Sequence, residues 1–224
     1  MYGIQNVLEM NIQNLTLLKR VLENKQAQKA LVYLYSQSQS ESTRNGRCGM
    51  EVGMAREKDQ GAVFKYFLKE KIDLDIDNQL PEDYRIGTSK ISAKHSSGKV
   101  GTAVKAKWTS ADISVKDAIK GMIEAEDDYY PNLLLTYLGN TITFICIEAE
   151  QNKHVIKSLK EDAFTVPKGN SRGIEYSTKA MKMLLEKEFF RITIDNVDLK
   201  GGANPIDRRI QTLETLGITV EEEL

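Results

Sequence analysis

Ile4, Val7, Leu8, Ile12, Leu15, Leu18, Val21 and Leu22 recur at spacings of three and four, the signature of one buried helical face. Ala30, Leu31, Leu34 and Tyr35 resume the pattern after a polar break near Asn24, so residues 4–35 read as a core-facing pair of helices. Residues 36–47, SQSQSESTRNGR, carry no apolar side chain and read as a mobile loop or linker. Residues 55–71 return to the helical period, with Val63, Phe64, Phe67 and Leu68 as the stripe. The period then changes to two. Ile72, Leu74 and Ile76 alternate with Asp73, Asp75 and Asp77, and Ile91, Ala93 and His95 with Ser92 and Lys94. Val104, Ala106 and Trp108 alternate with Lys105 and Lys107. These are strand patterns, and Gly98 and Gly101 suggest a hairpin joining the last two.

Further on, Ser114 is placed to cap a helix over 115–127. Residues 133–138 and 141–149 read as core strands meeting at a tight Gly139-Asn140 turn. A short helix over 151–161 with a surface His154, a helix over 177–187, a strand over 189–195 and a helix over 204–216 complete the order. The fold class is α/β, a mixed central β-sheet flanked by helices, with an N-terminal helical region. We divide it into N-terminal helices with a polar arm (1–50) and an α/β core (51–224).

Composition narrows the class. With 224 residues, 41 % of them hydrophobic and 28 % charged, the chain can bury a real core. It has no apolar run of about 18 residues to span a membrane. MYGIQNVLEM has neither the basic nor the apolar stretch of a signal peptide, so a cytoplasmic location is expected. Cys48 and Cys146 are isolated and read as reduced thiols, and two histidines argue against zinc chemistry.

Charge distribution says more than net charge, which is −1. From Tyr84 to Ala111 there is no Asp or Glu, whereas Arg85, Lys90, Lys94, Lys99, Lys105 and Lys107 fall in that window. Such a strip attracts phosphate backbones. Just upstream lie Asp73, Asp75, Asp77, Glu82 and Asp83. Carboxylates entering a sheet, with a lysine on the next strand, suit Mg²⁺-dependent phosphodiester cleavage. Strand alternation puts Ser92 and Lys94 on one face and His95 on the other. Two more stretches suit a duplex. Arg44, Arg47 and Met50 fit a wrapping arm, with arginines on phosphates and a methionine at a base step. Lys168, Asn170 and Arg172 lie in a polar loop able to read base edges.

Pro81-Glu82-Asp83, followed by Ser92-Ala93-Lys94, resembles the PD-(D/E)xK nuclease signature, and the element order resembles a type II restriction endonuclease. The resemblance implies a restriction-endonuclease-like sheet and Mg²⁺ held at Asp83. It also implies that Lys94 positions or activates the attacking water. Position 92 is Ser where the family has an acid. The ligand set therefore stays open among Asp83, Glu82, Asp77 and a glutamate from the 55–71 helix. Lys90, Lys99, Lys105 and Lys107 would grip double-stranded DNA, and a homodimer would match a palindromic duplex. Two other readings use the same residues. One is a DNA- or RNA-binding protein without a hydrolytic site. The other is a scaffold domain whose lysines only protect a sheet edge.

Overall fold

The computed structural model describes residues 2–44, 49–74, 82–107, 113–125, 129–167 and 173–198. The expectations for Asp75, Asp77, Arg47, Trp108, residues 168–172 and the helix over 204–216 lie outside the described residues.

Three long helices come first: α1 (Tyr2–Glu23), α2 (Lys25–Arg44) and α3 (Gly49–Leu68). Asn24 divides the first two, and its Oδ1 accepts from the backbone N–H groups of Gln26 and Ala27, the N-cap arrangement. Strands β1 (Ile72–Leu74), β2 (Tyr84–Ile86) and β3 (Ser89–Ser97) then form an antiparallel meander. After β4 (Lys105–Lys107) comes α4 (Val115–Glu124), capped by Ser114 Oγ accepting from Asp117 N–H at 3.1 Å. β5 (Asn132–Leu138) and β6 (Thr141–Ile147) meet at Gly139, whose φ of +60° suits glycine. They are followed by α5 (Ala149–Leu159), β7 (Phe164–Thr165), β8 (Ile174–Tyr176), α6 (Thr178–Leu185) and β9 (Phe190–Ile194).

The main sheet is mixed, in the order β1-β2-β3-β5-β6-β9, with β3 and β5 parallel across an α4 crossover. Its β5 and β6 strands are buried on both faces, which explains their unbroken apolar runs. On one face Leu18, Leu22, Leu31 and Phe64 of α1–α3 pack with Ile91, Leu133 and Phe144. On the other, Leu134, Ile145 and Ile147 pack with Val155, Ile156, Tyr176 and Met181. The α1 stripe is thus used within the chain, while Met10 and Ile12 stay exposed. Among the described residues no helix is long and apolar enough to cross a membrane.

Two sequence expectations need correction. Residues 36–44 are not a loop but the end of α2. Their polarity is absorbed by a polar seam against α3. Ser36, Gln37 and Ser38 are buried, Ser38 Oγ donates to Asp59 Oδ2 at 2.5 Å, and Arg56 Nη2 donates to Gln39 Oε1 at 2.6 Å. The second correction concerns Gly98 and Gly101, which do not close a hairpin. β3 has β2 and β5 on its two sides, so no edge remains for another strand. The chain turns away, and β4 pairs with β8 in a separate sheet ordered β4-β8-β7.

The seam between α2 and α3 continues to the sheet. Arg56 lies 5.2 Å from the Tyr137 ring centroid, and His95 Nε2 contacts Gln60 Oε1 at 3.3 Å. Burial, with help from the Arg56 and Lys94 charges, lowers the His95 pKa to about 3. Burial raises Asp59 to about 6, against the opposing Ser38 hydrogen bond and Arg56 charge.

These features make two predictions. Leu18→Ala, at a fully buried position, should lower the unfolding free energy by about 2–5 kcal/mol. Tyr66→Ala, where the side chain is 78 % exposed, should stay within about 0.5 kcal/mol in the same denaturant titration. The two titrating groups should act in opposite directions. His95 has a depressed folded pKa, so its contribution is full above 6.5 and is lost as pH falls from there toward 3. Asp59 has a raised folded pKa, so its contribution is full below 3.8 and is lost as pH rises toward 6. Between pH 6.5 and 4, acidification should erode wild-type stability relative to His95→Gln. It should improve it relative to Asp59→Asn, as read by melting temperature against pH.

Candidate active site

The β2–β3 register builds the site. Tyr84 pairs with Ile91, and Asp83 N–H donates to the Ile91 carbonyl at 3.0 Å. Tyr84 and Ile91 point into the α1–α3 core. Alternation therefore sends Asp83, Ser92 and Lys94 to the opposite face. The Asp83 carboxylate is fixed across the strand pair: its Oδ2 accepts from Ala93 N–H at 2.5 Å and from the Ser92 hydroxyl at 3.2 Å. Ser92 is buried and Lys94 half-buried.

β5 supports this face from the side. Ser92 lies beside Asn132 and Lys94 beside Leu134. Ser92 N–H donates to the Pro131 carbonyl at 2.9 Å. Asn132 Nδ2 reaches Tyr176 Oη at 3.5 Å, and Tyr176 donates to Asn152 Oδ1 at 2.8 Å. Burial pushes the Tyr176 phenol up to about 12, so it remains a neutral donor. This polar chain anchors Asn132 next to Ser92 from the second core.

Glu82 stands next to Asp83 in the chain. Its side chain is 2 % exposed, and its Oε1 accepts from both Nε and Nη2 of Arg85. The carboxylate raises the Arg85 pKa further through hydrogen bonding and charge. Glu82 Oε2 is buried and has no hydrogen-bond partner among the described residues. A buried carboxylate oxygen left bare is costly, and a hard cation is one group that would satisfy it. Asp83, Glu82 and the Ser92 hydroxyl are oxygen donors of the kind a hard divalent ion takes, so the residues fit such an ion. Among the described residues no group of three or more His, Cys, Asp and Glu side chains gathers. Water and a substrate phosphate would supply the remaining donors of such an ion.

The expected cations separate. Lys90 shares the Asp83 face, with its ammonium 5.2 Å from the Tyr130 ring centroid. Lys99 is exposed in the turn after β3. Lys105 and Lys107 lie on the second sheet, and a register shift between them interrupts the alternation expected for β4. Lys105 pairs with Glu175 at 3.5 Å, while Lys107 is exposed. Arg44 ends α2 and Met50 lies in the first turn of α3. Asp77, Arg47, Lys168, Asn170 and Arg172 are outside the described residues.

Sequence places Arg85 only in the basic strip, not beside a carboxylate of the site, and does not point to Tyr130. The spacing Glu82-x-x-Arg85 was a usable signal for the first. Tyr130 had none, because its contact with Lys90 exists only once β5 lies beside β3.

Comparison with known proteins bears on the same face. No curated protein matches the chain. A solved structure described as a restriction endonuclease in complex with substrate DNA matches with a TM-score of 0.69 at 24 % identity. The match covers 88 % of this chain and 99 % of that one, and it establishes likeness of fold. The family model described as restriction endonuclease ThaI matches residues 17–211, a span that takes in both sheets and every residue of the Asp83 face. The chain belongs to the ThaI restriction endonuclease family and is a site-specific DNA endonuclease.

Proposed function

We propose that Asp83, Glu82, Ser92 and Lys94 form the hydrolytic site and that the divalent metal implied by the family is Mg²⁺. The observation that carries this reading is the Asp83 carboxylate, tied to Ala93 N–H and the Ser92 hydroxyl on the face that holds Lys94. Asp83 and Glu82 are the metal ligands, with Asp77 a further candidate. Hard oxygen donors and a phosphate-bearing substrate favour Mg²⁺, which keeps waters in its shell. When bound, that ion would neutralise charge on the scissile phosphate and lower the pKa of a bound water.

The protein residues have separate tasks. Lys94 donates hydrogen bonds to the attacking water or to a phosphate oxygen, where negative charge grows in the transition state. The water oxygen bonds to phosphorus as one P–O ester bond breaks; the water gives up a proton to solvent, and the leaving oxygen takes one up. Ser92 does not replace the usual acid. Its hydroxyl donates to Asp83, so it orients the metal-binding carboxylate, and Glu82 supplies the second negative charge.

Lys90, Lys99 and Lys107 are the reachable cations that we assign to phosphate contacts. Lys105 contributes beside Glu175. Arg44, Arg47 and Met50, together with Lys168, Asn170 and Arg172, are the further contacts we assign to the duplex. We also propose that the enzyme works as a homodimer in the cytoplasm, since the two-fold symmetry of a palindromic duplex calls for two equivalent sites.

Plasmid digestion with Mg²⁺ or EDTA tests the site. Asp83→Asn and Lys94→Ala should each slow cleavage by about 10²–10³-fold while still shifting the duplex on a gel. Ser92→Ala should cost less than either. Equal rates for Lys94→Ala and wild type would remove Lys94 from the mechanism. Lys107→Ala should weaken duplex binding similarly across sequences and reduce the salt dependence by about one unit of slope, as measured by fluorescence anisotropy from low to high salt.

A further inference from the structure

We infer that Arg85 is a positioning residue for the metal site: it holds Glu82 by one oxygen and leaves the other presented to the cation. This rests on the reading of Glu82 as a metal ligand. An arginine usually meets a carboxylate as a two-pronged fork, one N–H on each oxygen. Here both prongs converge on Oε1. Oε2 keeps its lone pairs, buried and unpartnered among the described residues. That division suits a carboxylate shared between a protein cation and a metal ion. One oxygen fixes the rotamer, and the other is the donor.

The surroundings of Arg85 suit this task. It is on β2, directly after the Asp83-Tyr84 pair that sets the strand register, so its backbone is fixed by pairing on both sides. Asp73 of β1 and Lys90 of β3 are its cross-strand partners. The Arg85 side chain is 40 % exposed whereas that of Glu82 is 2 % exposed. The arginine therefore reaches inward from solvent to a carboxylate that has little water of its own. Arg85 is the one side-chain donor to Glu82 among the described residues, so without the guanidinium the rotamer of the buried carboxylate would lose its anchor. Groups of this kind, one step behind a metal ligand, usually change metal affinity by about 10–100-fold when removed.

The opposite role, in which Arg85 occupies the metal's place and is displaced on binding, predicts the opposite sign. Calorimetric titration of Ca²⁺ into the full-length protein with bound target duplex separates the two, because it reads metal affinity without depending on cleavage. Arg85→Ala should weaken Ca²⁺ binding by about 10–100-fold, and Arg85→Gln, which retains an N–H donor for Glu82, by less. Melting temperatures and duplex affinity in EDTA, measured in parallel, show whether each variant is folded. If Arg85→Ala fails to fold, Arg85→Gln carries the test. Unchanged or tighter Ca²⁺ binding in a folded Arg85 variant overturns the proposal. Glu82→Gln is the control for the underlying reading. If it weakens Ca²⁺ binding while the Arg85 variants do not, only the positioning role fails. If Glu82→Gln has no effect, the assignment of Glu82 as a ligand fails and the positioning role with it.

Discussion

The register between β2 and β3 is the constraint on which the site depends. Pairing Tyr84 with Ile91 puts two large apolar side chains into the α1–α3 core. The same pairing obliges Asp83, Ser92 and Lys94 to emerge together on the other face. A slip of one residue would expose Ile91 and bury Lys94, so the cost of losing core contacts protects the grouping of Asp83, Ser92 and Lys94. The Asp83 carboxylate reinforces this register from its own side, because its bond to Ala93 N–H is possible only when the two strands are aligned in this way. Core packing and the grouping of Asp83, Ser92 and Lys94 are therefore fixed by one alignment, and the helices on the apolar face hold that alignment in place.

Much of the architecture was legible because most elements obey their local rules. The Leu15, Leu18, Val21 and Leu22 part of the α1 stripe, the Ser114 cap, the Gly139-Asn140 turn and the alternation of Ser92 with Ala93 all follow from short-range pattern, and the structure has each of them. The failures share a different cause. Residues 36–44 have a loop-like composition because the seam they bury is itself polar. Only the partner residues Arg56 and Asp59 on α3 make Ser38 and Gln39 suitable for an interior. Likewise the Gly98–Gly101 segment has the composition of a hairpin. Whether it forms one depends on which strand takes the free side of β3, and β5, far along the chain, takes it.

At the site itself, sequence placed Asp83, Ser92 and Lys94 together and gave Lys94 and His95 opposite faces. The division of labour among the carboxylates was not readable. Ser92 looked like a missing acid, whereas the geometry makes it a donor to Asp83. Glu82 was one of several candidate acids, and only its burial and its one-sided bond to Arg85 set it apart. The acid-free window likewise looked continuous along the chain, yet in space it is split between two sheets, and one of its lysines is paired with Glu175.

The arrangement of β1, β2 and β3 also bears on how the enzyme is assembled in time. Asp83, Ser92 and Lys94 all belong to one short meander, so the entropy lost in bringing them together is that of closing a small loop. The β3–β5 pairing, by contrast, joins Ser92 to Asn132 across about forty residues, and such contacts are slow to form. On that ground Asp83, Ser92 and Lys94 would meet early, on a strand still lacking its long-range neighbour. During synthesis, the exposed side of β3 would be the surface most open to mispairing until β5 leaves the ribosome and covers it.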